Sequence, residues 1–174
     1  NPFDQPNVEA SKVLARTMVA AYQKKGKLPQ LTPTLVEGGI RIYSDSKVSD
    51  LAEALHLFFV RANPGGKKGS NRSYVSLQVY LNPSPELDLT LQSLRTMIQR
   101  EYKLATTIGY GPRYLHSTGQ LHKGDGGSGL FIQITADIGE DVNVPDNAGE
   151  ESSSISFGTL IAAQALGDRQ ALLD

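Results

Sequence analysis

The chain has 174 residues and a mass of 18.8 kDa, the size of one domain able to bury a core. Its 17 Lys and Arg balance 18 Asp and Glu, so it lacks the basic excess that a nucleic-acid-binding surface carries. It has no cysteine, which excludes disulfides, thiolate nucleophiles and Cys-based metal sites and favours a reducing, cytoplasmic setting, and no apolar run reaches the length of a membrane span.

The opening Asn1-Pro2, without Met and directly before helical sequence, reads as a segment of a longer protein cut at a domain boundary. Residues 6–25 keep helical spacing through Val8, Leu14, Val19 and Tyr22, with Asp4 as expected N-cap and Gly26 as stop. A Pro-bearing connection leads through Gly38-Gly39 to a short alternating strand at 40–43. Ser44-Asp45-Ser46 offer capping oxygens, and Val48, Leu51, Leu55, Phe58 and Phe59 then fall on one helical face. The Gly/Lys/Ser-rich stretch 63–71 reads as an exposed loop, and 74–81 as a strand stopped by Asn82-Pro83. A helix at 85–102, a strand at 104–108, a short helix at 113–121, a glycine loop at 124–129 and a strand at 130–135 follow. The acidic, polar stretch 138–154 reads as a mobile loop, and 157–173 as a closing helix with Leu160, Ala163, Gln164 and Leu166.

Short strands alternating with helices predict a single α/β domain: a three-layer α/β/α sandwich with about four mainly parallel strands and right-handed crossovers. In such sheets ligands sit at the carboxyl ends of strands, which directs attention to residues 109–124, after the third strand. That segment gathers Arg113, His116, His122 and Lys123, the hydroxyls of Ser117 and Thr118, and the amide of Gln120. Gly109 and Gly111 are expected to let backbone amides approach a phosphate, and Arg113 to grip the same anion in bidentate fashion. His116 is the group suited to exchange protons near neutral pH. The competing reading is a solvated helix face. His116 and His122, six positions apart, do not share a helix face, so no metal pair is expected.

Gly124-Asp125-Gly126-Gly127-Ser128-Gly129 spells the dinucleotide fingerprint, but it precedes a strand and opens no helix, which argues against nucleotide binding. Ser117 lacks an elbow pattern and an acid partner, which argues against a serine hydrolase. At the N-terminus, Glu9 and Lys12 lie one helical turn apart, and an N-capped helix with an ion pair is enough to explain these letters.

That N-terminal stretch nevertheless resembles the C-terminal signature of the glucose-6-phosphate isomerase family. Phe3, Asp4, Gln5, Val8, Glu9 and Lys12 match it in register, with Asn7 where the family has Gly. Two later blocks, Gly111 to Gly124 and Phe157 to Asp168, resemble the branch of isomerases found fused to transaldolase. The resemblance spans nearly the whole chain.

It implies an aldose–ketose isomerisation of a hexose 6-phosphate through a cis-enediolate, without metal or organic cofactor. Gln5 is then the glutamine lining the sugar-phosphate site. Lys12 is the lysine that assists ring opening and stabilises charge at the O1 end. The segment 116–120 is similar to the family's catalytic-histidine string, which makes His116 catalytic, although in the family that string precedes the lysine motif and here it follows. The family's base, a glutamate, and its two sugar-isomerase domains belong upstream and have no counterpart here, so this chain alone is expected to be inactive. The implied partners are those upstream domains and, in a homodimer, a second subunit. The alternative is a non-catalytic module that binds a sugar phosphate or docks the catalytic domains.

Overall fold

The computed structural model describes residues 6–62 and 73–173. Helix α1 (Pro6–Lys25) ends where Gly26, at φ +69°, donates its N–H to Tyr22 O at 2.7 Å, the left-handed closure that its glycine predicts. Strands β1 (Leu35–Glu37) and β2 (Ile40–Ile42) form an antiparallel pair of their own. Contrary to the expectation of four strands in the parallel sheet, the strand at 40–43 lies outside it. Gly38 and Gly39, both at positive φ, make a two-residue turn, and so tight a connection can only join antiparallel neighbours.

Helix α2 (Leu51–Phe59) is capped by Asp50, which accepts from Glu53 N at 2.8 Å, rather than by 44–46. Asp45 is engaged elsewhere, taking two hydrogen bonds from Arg61 at 2.7 and 2.9 Å. Strand β3 (Tyr74–Tyr80) precedes α3 (Pro85–Tyr102), whose Ser84 cap accepts from Leu87 N at 3.1 Å. Strand β4 (Ala105–Tyr110) leads to a 3-10 turn (Arg113–His116), then α4 (Gly119–Lys123) and β5 (Gly129–Thr135). The helix expected over 113–121 is therefore broken at Ser117-Thr118. Within 138–154, strand β6 (Asn143–Val144) pairs antiparallel with β7 (Ile155–Ser156), directly before α5 (Phe157–Leu173).

The main sheet has three parallel strands in the order β4-β3-β5, with helices around it, as the α/β expectation requires. Alternation along β3 gives each face its own character. Val75 and Leu77 point into an apolar core with Phe59 of α2, Ile98 of α3 and Leu104. Burying each of these side chains contributes roughly 1.5–3 kcal/mol. The opposite face carries Tyr74, Ser76, Gln78 and Tyr80, and it lies under α4, α5 and the 3-10 turn. Gln133 of β5 donates to Ala165 O of α5 at 3.1 Å on that side.

Helix α1 rides along α5 rather than on the sheet. The approach is close because α5 presents Gly167: a Cβ there would stand 2.7 Å from Ala15 N. Among the described residues, no helix is long and apolar enough to cross a membrane, and no cluster of three acidic or histidine side chains could hold a metal ion.

Candidate functional site

A cleft opens where α1, the 3-10 turn, α4 and α5 meet. From α1 it takes Val8, Ser11, Lys12 and Ala15, and from the turn Leu115 and His116. Lys123 and Gln164 complete it. Its volume of about 50 Å³ is room for a few waters. A hexose phosphate needs more space than this, so the cleft is one wall of any such site.

Of the sequence-predicted residues, three converge here: Lys12, His116 and Lys123. Lys12 is paired with Glu9 at 2.6 Å, and its ammonium hydrogen bond and charge hold the Glu9 carboxyl below its ordinary range. His116 is exposed at the end of the turn. Lys123 lines the cleft with a side chain only 1% exposed, and its ammonium is committed to Asp168.

The remaining predicted residues stand outside the cleft. Arg113 is exposed, its charge felt by Tyr110, whose hydroxyl donates to Asp88 at 2.6 Å. Ser117 donates to Tyr114 O at 3.1 Å, while Thr118 and Gln120 begin and continue α4. Gln5, with the whole of 1–5, lies outside the described residues, as does the loop at 63–71.

Gly109 and Gly111 were expected to offer amides to a phosphate, but their absent side chains serve packing instead. A Cβ on Gly109 would meet Tyr114 Cβ at 2.8 Å, and one on Gly111 would meet the Tyr80 ring at 2.5 Å. The Gly111 N–H is already given to Val79 O at 2.8 Å. Gly111→Ala is expected to cost about 1–3 kcal/mol, because a fixed aromatic ring must shift, and a thermal melt of the two proteins checks it.

Behind the cleft lies a polar network that no local sequence signal marks. Asp168 of α5, fully buried, forms an ion pair with Lys123 and accepts a hydrogen bond from the Tyr114 hydroxyl. Among the described residues Lys123 Nζ and Asp168 Oδ1 have no further hydrogen bond. The Tyr80 hydroxyl lies 3.4 Å from that of Tyr114, and Asp168 is a second acceptor within its reach. Burial, with the Asp168 charge nearby, pushes both phenols well above their ordinary range, so they stay protonated. Gln78, with no exposure, finds no partner for its amide among the described residues.

Beside this network sits His122, only 7% exposed, with Nδ1 3.1 Å from the Tyr74 hydroxyl and Nε2 3.4 Å from Ser76 Oγ. Burial first, and then the Lys123 charge, holds its imidazole below the ordinary value, so it is neutral at pH 7. The unfolded chain therefore binds this proton more readily than the folded one. Stability from His122 is full above about pH 6.5, the unfolded value, and is lost as pH falls towards the lower folded value. We expect the melting temperature to drop between pH 7 and 5, and the drop to shrink in His122→Gln; an unchanged pH slope in that variant would assign the acid sensitivity elsewhere.

No protein-family model, curated protein or solved structure matches the chain. An ammonium and an imidazole on separate walls of a shallow cleft suit an anion, or a reaction in which negative charge develops on oxygen.

The glycine loop at 124–129 follows α4 and runs straight into β5, and Asp125 Oδ1 accepts from Gly127 N at 2.7 Å. It opens no helix, so its fingerprint lettering lacks the helix N-terminus that would receive a pyrophosphate.

Proposed function

We propose that this chain is the C-terminal part of a glucose-6-phosphate isomerase and supplies one wall of the site that interconverts glucose 6-phosphate and fructose 6-phosphate. The observation that carries the reading is the meeting of Lys12 and His116, from distant parts of the sequence, in one cleft. The Lys12 ammonium, released from Glu9, faces the O1 end of the open sugar and stabilises the enediolate oxygen as charge develops. His116 exchanges a proton with the sugar oxygens during ring opening.

The base that moves the proton between C1 and C2, and the groups that hold the phosphate, come from upstream sugar-isomerase domains or a partner subunit. The shallowness of the cleft supports this division, and the chain alone is inactive. The reaction needs no cofactor, and a cysteine-free chain suits the cytoplasm.

The test is an NMR titration of the chain with arabinonate 5-phosphate, an acid shaped like the enediolate. Saturable shifts concentrated at Lys12, Leu115, His116 and Gln164 are expected. Flat spectra at millimolar ligand would favour the second reading, a non-catalytic module that docks catalytic domains together. The Lys12–Glu9 pair favours that alternative, since it already neutralises the ammonium.

A further inference from the structure

We infer that Asp168 is a positioning residue that fixes the wall carrying His116 against the wall carrying Lys12. This rests on the cleft of the proposed function, but the mechanical claim stands on contacts that need no ligand. One buried carboxylate holds both ends of the segment 114–123: Tyr114 donates to Oδ2 and Lys123 pairs with Oδ1. His116, Ser117, Thr118 and Gln120 all lie between these anchors. The segment itself has little regular structure to hold it, being a 3-10 turn and a five-residue helix with no side-chain cap on either.

The residue before Asp168 fixes the other wall. Gly167 brings α5 against the backbone of α1 at Ala15, one turn from Lys12. Gln164, one helical turn before Asp168, reaches the cleft between the two walls. Two consecutive residues of α5 therefore set the separation of Lys12 and His116. Buried ion pairs add little net stability over apolar replacements, and a role in fixing one arrangement is the best-attested reason to keep one.

Because the chain has no cysteine, spin labels can be placed cleanly. Val13→Cys on α1 and Leu121→Cys on α4 are both at exposed positions, 56% and 68% respectively. Dipolar electron paramagnetic resonance on the full chain is expected to give one narrow distance. Adding Asp168→Asn is expected to broaden or split it in protein that circular dichroism shows to be folded. If Asp168→Asn does not fold, Tyr114→Phe removes one anchor and leaves the ion pair, and it is expected to broaden the distribution as well. A narrow, unchanged distance in whichever variant folds would overturn the inference.

Binding of arabinonate 5-phosphate by the same unlabelled proteins separates the two claims. We expect a loss of about tenfold or more in the broadened variants, as for misplaced contact groups. An unmodified chain that does not bind, with a distance that still broadens, would sink the isomerase reading and leave Asp168 as the clamp. Variants that broaden the distance yet bind as tightly as the unmodified chain would remove Asp168 from the binding geometry.

Discussion

Asp168→Ala is expected to cost about 3–5 kcal/mol of folding stability, because it strands the Lys123 ammonium in the interior. Lys123 is 1% exposed and has no second carboxylate in reach among its described contacts, so its desolvation is no longer offset. Tyr114 loses the acceptor for its proton at the same time. For a domain of this length the loss corresponds to a melting temperature lower by roughly 10 °C. The control is a double substitution, Lys123→Met with Asp168→Leu, which removes both charges. It should recover most of the stability, since the cost lies in the unpaired charge rather than in the absence of the pair. If the double variant melts as low as Asp168→Ala, packing at α5 and not electrostatics sets the cost.

The second large effect concerns chemistry. In the assembled isomerase that the proposed function describes, Lys12→Ala is expected to lower kcat by about 10²–10³-fold, the usual consequence of removing a group that stabilises a developing oxyanion. Lys12 is a partly exposed surface residue whose partner among the described residues is Glu9 one turn away, so the substitution should leave the melting temperature nearly unchanged. Lys12→Arg keeps the charge and should recover part of the rate. Equal turnover of Lys12→Ala and the unmodified enzyme, measured by the coupled conversion of fructose 6-phosphate to glucose 6-phosphate, would leave α1 with a docking role only. The two predictions separate cleanly: one residue moves stability, and the other moves rate.

Much of the architecture was legible in local signals. Gly26 closed α1, and the β-branched and aromatic residues of β3, stopped by Asn82-Pro83, marked a strand. The signal misread was Gly38-Gly39. It is a hairpin turn by composition, and taking it as a mere lead-in sent β2 to the wrong sheet. Ser76 and Gln78 were the warning within β3 that one face would be polar. Nothing in their letters, however, says that His122 would reach Ser76 or that Gln78 would lack a partner.

The candidate site was legible as residue types in two segments and illegible as a place. The 109–124 segment is marked by its own chemistry and Lys12 only by the resemblance of its stretch to the isomerase signature, yet of these residues only Lys12, His116 and Lys123 share the cleft. Lys123 reads in sequence as one of several polar groups in the segment, and nothing local shows that its ammonium is buried. Its partner Asp168 sits on a helix whose other letters are mostly apolar or small, and a single carboxylate there signals nothing until the fold buries it.

By itself, the sequence determined the α/β class, helices α1, α2, α3 and α5, the three strands of the parallel sheet, the absence of cysteine chemistry, and the polar segment after β4. These depend on periodicity, turn chemistry and composition, which act over a few neighbouring residues. Tertiary structure alone decided which polar groups converge, because that depends on how closely α1 can approach α5. A missing Cβ at Gly167 sets that distance, and one buried carboxylate at Asp168 fixes the opposite wall. Contacts between positions so far apart in the chain leave no mark on local sequence pattern, and they appear only when the helices pack.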